Sequence, residues 1–259
     1  MVGFDAARAR VSIVVPTLDE ASTIETVLRH LEGLVPAADE VLVVDGGSAD
    51  DTVARARAAG ARVIEAPRGR ARQLNLAVEH LTGDIVCFLH ADTWLPHDAI
   101  AVMRATLADE GTALAGFISV MIGEAGTRWG ISLHNFIKSY YAPALFKPGL
   151  FVRGVRLLFG DQAMFCRTAD FRAVGGFDEV AIMEEATLCI KLGARGRVRQ
   201  LDRIVQSSDR RIARWGTLRA TGKHLSIGFL WGLDLVARER FGRSIISDAA
   251  LYARYGEER

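Results

Sequence analysis

What most limits the folds open to this chain is an alternation over residues 11–110: short β-branched runs are interleaved with segments whose apolar residues recur at helical spacing. That pattern belongs to parallel sheets built with crossover helices. Val11–Val15, Val41–Val44 and Ala61–Glu65 read as successive strands, and Ile85–Leu89 as a central strand covered on both faces. Between them, Ile24, Val27, Leu28, Leu31 and Leu34 share one helical face behind a Ser22/Glu25 capping box. Asp51–Ala59 predicts a short helix stopped by Gly60, and Leu74, Ala77, Val78 and Leu81 mark a third helix that ends at Gly83. Beyond residue 110 the sequence predicts a strand over Leu114–Val120, a helix over Thr127–Tyr141 and an aromatic, Gly/Pro-rich stretch as far as Phe159. A strand over Ala163–Arg167, a short helix ending at Gly175-Gly176, a helix over Glu184–Leu192 and a strand pair over Val198–Val205 follow, and the chain from Arg210 reads as a helical tail.

Half of the 259 residues are apolar, enough for a substantial core. A formal net charge of +1 gives no global basic field, so no nucleic-acid partner is expected. The charge is segregated, however: residues 1–192 carry 18 basic and 24 acidic side chains, residues 193–259 carry 14 and 7. Cys87, Cys166 and Cys189 lie far apart in apolar surroundings and read as buried, reduced thiols. The segment MVGFDAARARVSIVVP passes from a charged leader into an apolar run with no export signal, so a cytoplasmic protein is expected. Leu225–Leu233, interrupted by Gly228 and Gly232, is far short of the roughly 20 residues of a membrane span. With Trp215, Phe229, Trp231 and nearby arginines, the tail suits peripheral contact with the inner face of a membrane; packing or dimer formation is the alternative.

In a doubly wound sheet ligands bind beyond the carboxyl ends of the strands. Here the first strand is followed by Pro16-Thr17-Leu18-Asp19-Glu20, the second by Asp45-Gly46-Gly47-Ser48, and Ile85–Leu89 by His90-Ala91-Asp92. Neither a G-x-G-x-x-G fingerprint nor a G-x-x-x-x-G-K-[ST] loop is present. His90 and Asp92, two residues apart on an extended segment, offer an imidazole and a carboxylate to one divalent cation. A core histidine and an N-cap for a helix near Pro96 are the plainer roles for the same two residues. Glu184-Glu185 begins a helix, where the dipole alone would favour two carboxylates. Arg68, Arg70 and Arg72, and later Arg210, Arg211 and Arg214, supply guanidinium groups suited to a diphosphate.

In order, VSIVVPTLDEASTI, VLVVDGGSADDT, PRGRARQLNLA, GDIVCFLHADTWLP, FGDQAMFCR, VGGFDE and MEEATL resemble the family 2 glycosyltransferases of the GT-A fold, over about residues 11–215. Within that family PRGRARQ, HADT and GDQAMF resemble a subgroup found beside radical-SAM genes and labelled for arsenosugar biosynthesis. The resemblance implies a Rossmann-like, mostly parallel mixed sheet flanked by helices, with residues 11–110 forming the nucleotide- and metal-binding half, 111–209 the acceptor side and 210–259 a helical tail. It implies that Pro16, Thr17, Asp19 and Glu20 line a nucleoside pocket, that Asp45 contacts base or ribose, and that Arg72 supports the nucleotide. His90-Ala91-Asp92 would stand for the family's Asp-x-Asp motif and bind Mn²⁺ or Mg²⁺, with Asp92 the retained carboxylate. Gly160, Asp161 and Gln162 would face donor sugar or acceptor, Glu185, with Glu184 before it, would be the general base, and Arg210 and Arg211 would close on the diphosphate.

The implied reaction is an inverting transfer from a UDP- or GDP-sugar to a small-molecule or lipid acceptor, entering past Trp129, Phe136, Tyr140, Tyr141, Phe146 and Phe151. Those aromatics also suit a packed core. Two rival functions use many of the same residues: a nucleotidyltransferase acting on a sugar phosphate, which would release pyrophosphate, and a catalytically silent, membrane-associated nucleotide-binding module.

Overall fold

The computed structural model describes residues 4–124, 126–180 and 182–256, with the side chains of Arg211, Arg214, Trp215, Asp248, Tyr255 and Gly256 outside the description. The N-terminal part alternates strand and helix as its pattern predicts: β1 (Val11–Thr17), α1 (Ile24–Glu32), β2 (Glu40–Asp45), α2 (Thr52–Ala58), β3 (Arg62–Glu65), α3 (Arg70–Glu79) and β4 (Ile85–Phe88). A two-residue β5 (Thr93–Trp94), α4 (Ala99–Leu107), β6 (Thr112–Gly123) and β7 (Gly126–Thr127) lead into α5 (Trp129–Phe146) and α6 (Pro148–Val152). The chain returns to the sheet as β8 (Phe165–Arg167), continues through α7 (Thr168–Ala173), α8 (Glu184–Gly193) and β9 (Arg197–Ser208), and ends in α9 (Arg210–Trp215), α10 (Thr217–Phe241) and α11 (Asp248–Gly256).

The strands form one mixed sheet in the order β3-β2-β1-β4-β8-β6-β9-β5, with β7 paired to β6. The β3-β2-β1-β4 portion is parallel, as is β6 with β9, whereas β8 runs antiparallel to both β4 and β6. The alternation of β1 sends Val11, Ile13 and Val15 to one face, against Ile24, Val27, Leu28 and Leu31 of α1 and Ile100, Met103 and Leu107 of α4. Val14 faces the opposite layer, with Leu74, Ala77 and Val78 of α3 and Leu188, Cys189 and Leu192 of α8. Burial on both faces is what the unbroken apolar runs demand. All three cysteines are free thiols in this core, and burial pushes each thiol up from its ordinary pKa. Because β2 and β4 flank β1 on opposite sides, the chain changes direction at the carboxyl end of β1, where a crevice opens in sheets of this kind.

The fold corrects several local expectations. No Ser22/Glu25 capping box forms: Thr23 holds the N-cap position of α1 and its hydroxyl donates to Glu20 Oε2 at 3.0 Å, while Glu25 pairs with Arg55 at 3.4 Å. The helix over Thr127–Tyr141 is α5, which runs on past Pro143 to Phe146. The strand pair over Val198–Val205 is the single strand β9, whose register against β6 shifts between Gly116 and Ile118. Asp92 caps no helix, since α4 begins at Ala99 behind Asp98. No described helix is long and apolar enough to cross a membrane.

Candidate active site

A cleft of about 1170 Å³ lies beyond the carboxyl ends of β1 and β4, bounded by α3, α5, the start of α8 and α10. The end of β1 supplies Pro16 and Thr17 to its wall, and the loop that follows supplies Asp19 and Glu20. Asp19 adopts φ +57°, the left-handed region, and accepts the Ala49 amide at 2.8 Å, tying this loop to the one that follows β2. Gln73 of α3 reaches beneath both loops, its amide donating to the Thr17 carbonyl at 2.9 Å and the Val44 carbonyl at 3.0 Å. A Cβ on Gly46 would lie 2.9 Å from that Gln73 amide, so this close approach requires glycine.

Two of the expected ligand contacts, Asp45 and Gln162, lie outside the cleft wall. Asp45 is buried and outside the cleft wall; its carboxylate accepts the Thr17 hydroxyl at 3.0 Å, the Gly47 and Ser48 amides at 2.9 and 2.8 Å, and the Ser48 hydroxyl at 2.5 Å. Those four donors tie the carboxylate to the loop that follows β2. Gln162 is likewise buried: its Oε1 accepts the Phe159 amide at 2.9 Å and its Nε2 lies 3.2 Å from Ser139 Oγ. Its neighbours Gly160 and Asp161 do line the cleft.

The acidic centre is formed by α8. Met183 has φ +67°, and this left-handed residue turns the chain so that Glu184 and Glu185, the first two residues of the helix, point inward and are almost fully buried. Arg70, the first residue of α3, donates from Nη1 to Glu185 Oε1 at 3.0 Å and lies 3.9 Å from Glu184 Oε1. Burial, reinforced by the adjacent Glu185 charge, pushes the Glu184 carboxyl up to about 8, against the opposing pull of Arg70. At neutral pH the pair therefore holds a proton on Glu184 while Glu185 stays against the guanidinium. Arg72, expected on the nucleotide, lies at the cleft edge with its Nε 2.8 Å from Glu179 on an exposed pair.

His90 and Asp92 follow β4 and face the cleft. A Cβ on Gly160 would collide with His90 Nε2 and stand 2.7 Å from Glu185 Oε1, so imidazole and carboxylate both crowd Gly160 at the cleft floor. Arg210 reaches over from α9, with Nη2 2.6 Å from Glu20 Oε2 and 3.4 Å from Asp92 Oδ2. Arg211's side chain is outside the described residues. Among the described residues no cluster of three or more His, Cys, Asp or Glu groups could hold a metal ion. One imidazole and one carboxylate, already balanced by a guanidinium cation, fit a divalent ion held jointly with a ligand's phosphate oxygens and do not form a self-sufficient cage.

Lys138 of α5 has no counterpart in the sequence-based reading. Its Nζ lies 3.6 Å from the centroid of the Phe159 ring. Burial lowers its pKa, and the nearby Asp161 and Glu185 act in the opposite direction. Asn135 of the same helix donates to Asp161 Oδ2 at 3.1 Å. Of the aromatics expected on the acceptor path, Tyr141 and Phe146 line the cleft, Trp129 is exposed to solvent, and Phe136 and Tyr140 stack on each other with centroids 5.3 Å apart.

Several known proteins are similar to this chain. Glucosyl-3-phosphoglycerate synthase of Mycobacterium tuberculosis is 33% identical over 149 residues, covering 53% of this chain and 40% of the relative. The pre-mycofactocin glycosyltransferase of the same organism is 28% identical over 218 residues, 79% of this chain and 44% of the relative. The chain thus spans less than half the length of these curated relatives. In three dimensions it resembles the same synthase crystallised with Mn²⁺, UDP and phosphoglyceric acid, with a TM-score of 0.62, 24% identity, and 88% and 80% of the two chains covered. It also resembles mannosyltransferase PcManGT of Pyrobaculum calidifontis in complex with GDP-Man and Mn²⁺, with a TM-score of 0.66, 20% identity, and 98% and 72% covered. At these identities the structural likeness establishes the GT-A-like fold. The model of glycosyl transferase family 2 matches residues 12–170, more than half of the chain, and the protein belongs to that family.

Proposed function

We propose that this protein transfers a sugar, with inversion, from a UDP- or GDP-sugar to the hydroxyl of an acceptor, using a divalent cation and Glu185 as general base. The observation that carries the reading is the meeting of His90, Gly160, Glu185 and Arg70 at the floor of one cleft beyond the carboxyl ends of β1 and β4. The mannosyltransferase and the synthase, crystallised with Mn²⁺ and a nucleotide or nucleotide sugar, support a similar ligand here. HADT and GDQAMF support the finer affiliation with the subgroup found beside radical-SAM genes. In this reading residues 11–110 hold the nucleotide, 111–209 form the acceptor side, and 210–259 cover the cleft.

Pro16, Thr17, Asp19 and Glu20 bound the nucleoside, and Arg210, with Arg72 and Arg68 at the rim, meets the diphosphate. Asp92 and His90 would hold Mn²⁺ or Mg²⁺, which when bound neutralises charge on the diphosphate. Glu185 takes the acceptor's hydroxyl proton as the acceptor oxygen bonds to the anomeric carbon. The bond from that carbon to the diphosphate oxygen breaks on the opposite face, its electron pair leaving with the nucleoside diphosphate beside the arginines. Glu184 retains its own proton at neutral pH and serves as a neutral neighbour. Arg70 positions the Glu185 carboxylate.

The test is a thermal-shift panel of nucleotide sugars with and without Mn²⁺, followed by assay of nucleoside diphosphate release. Glu185→Gln should keep the donor-induced shift and lose turnover by roughly 10²–10⁴-fold, the range of general-base contributions. Full activity in that variant, or pyrophosphate released from a nucleoside triphosphate, overturns the reading.

A further inference from the structure

The cleft does not end at the nucleotide and base. At about 1170 Å³ it exceeds the roughly 300–1,000 Å³ of an ordinary small-molecule site, and its extra length runs between α5 and α10. The walls of this arm are mostly apolar: Tyr141, Leu145 and Phe146 on α5 face Leu225, Phe229 and Trp231 on α10, with His224 of α10 also lining the cleft. The Phe146 and Phe229 rings meet edge to face with centroids 5.9 Å apart, and Lys147, just past α5, forms an ion pair with Glu239 of α10, so the two helices are fastened along the arm. At the mouth Leu145, Leu225 and Phe229 remain 61%, 45% and 52% exposed, which carries the apolar wall out to solvent.

Two glycines of α10 separate packing from space. A Cβ on Gly232 would run into the Phe146 ring, so that glycine is demanded by the helix contact. Gly228 also lines the cleft, yet a Cβ there would meet nothing within 4 Å. In mid-helix glycine is a poorer helix former than alanine. No neighbour requires it, and its missing side chain leaves the arm open.

We propose that this arm holds an apolar portion of the acceptor, which carries its reactive hydroxyl on an alkyl or aryl body that lies between α5 and α10. The inference rests on the glycosyltransferase reading of the same cleft. The hydroxyl end reaches Glu185 past Lys138 and Phe159, and the apolar body displaces water from the six walls of the arm. A sugar chain or a polyanion would lose its hydration there without gaining matching hydrogen bonds.

The test is calorimetric titration of the full chain with methyl, butyl, hexyl and octyl β-glucosides below their micellar concentrations. Affinity should rise about fourfold per added methylene as the chain is buried. Gly228→Phe, with its ring in the arm, should flatten that dependence. Gly222→Phe is the control: it lies on the same helix, away from the cleft wall, and its Cβ also meets nothing. A flat series in the unaltered protein, or equal slopes in the two variants, overturns the proposal. UDP and GDP are titrated with Mn²⁺ into the same samples, so loss of nucleotide binding condemns the glycosyltransferase reading while the alkyl slope is still read. Sedimentation with phosphatidylglycerol vesicles separates the sources: pelleting points to an acceptor drawn from a bilayer, and retention in the supernatant to a diffusible one, both with the slope intact.

Discussion

Glu184→Gln is expected to stabilise the ligand-free protein, by an amount that grows with pH. The Glu184 carboxyl is buried beside Glu185, and both burial and that neighbour raise it from 4.5 to about 8. The folded state therefore holds this proton more tightly than the unfolded chain. The favourable contribution is complete below pH 4.5 and is lost progressively as pH rises towards 8, at about 1.4 kcal/mol per unit. At pH 7 the loss amounts to about 3 kcal/mol. Glutamine reproduces the protonated carboxyl in shape, donates to Glu185 in its place and has no proton to lose. The variant and the unaltered protein should melt together near pH 5 and diverge to roughly 6–12 °C at pH 7, taking roughly 2–4 °C per kcal/mol for a chain of this size. Thermal melts without metal or nucleotide, in half-unit steps from pH 5 to 8.5, measure the divergence. A pH-independent offset, or a glutamine variant that loses ground between pH 5 and 7, would refute the shared-proton arrangement.

Three further outcomes follow from the same geometry. Asp92→Ala should abolish the Mn²⁺ dependence of nucleoside diphosphate binding; calorimetry showing that dependence unchanged would remove Asp92 from the metal site. Arg210→Ala should act in two directions, weakening nucleoside diphosphate binding by roughly 10–100-fold through loss of a charge-assisted hydrogen bond, while strengthening Mn²⁺ binding without nucleotide, because no guanidinium then competes for Glu20 and Asp92. Gly160→Ala should cost about 1–3 kcal/mol of stability by overpacking and should also reduce turnover, since the added methyl displaces both His90 and Glu185; unchanged melting temperature and activity would show the floor of the cleft to be looser than this.

The parallel half of the sheet was legible because β1, β2 and β4 are apolar on both faces and their helices carry clean periodic stripes. Strand-end chemistry then singled out Asp19, Glu20, His90 and Asp92, and the geometry brings all four to one cleft. Choosing among the arginines needs helical phase as well as residue identity. Leu74, Ala77 and Val78 mark the inner face of α3; Arg70 and Gln73 lie on that face by three- and four-residue steps, and Arg72 does not. Applying that stripe to the arginines would have selected Arg70 as the partner of Glu185. Asp45 and Gln162 answer to a different constraint. A polar residue at a strand end can serve a ligand or satisfy its own loop, and four loop donors to one carboxylate are visible only in three dimensions. Lys138 had no sequence signal, because α5 carries apolar residues on several faces and its orientation is set by packing against β6 and α10.

The segregated charge acquires a physical meaning from Arg210. The acidic part of the chain gathers Glu20, Asp92, Glu184 and Glu185 around one cleft, and without counter-charge such a group would resist burial. Arg70 supplies that charge within the sheet domain, while Arg210 supplies it from the basic segment, spanning Glu20 and Asp92 where the proposed divalent ion would bind. The guanidinium there offsets the Glu20 and Asp92 charges and is itself part-exposed, with its side chain 44% accessible. In the proposed function, a nucleotide arriving with a divalent ion would bring both a replacement cation for Asp92 and a diphosphate to receive Arg210. Exchange of one cation for another at Asp92 would thus couple metal and nucleotide binding. Either ligand alone must leave one of these charges unmatched, so the two should bind with positive cooperativity, reciprocal in magnitude.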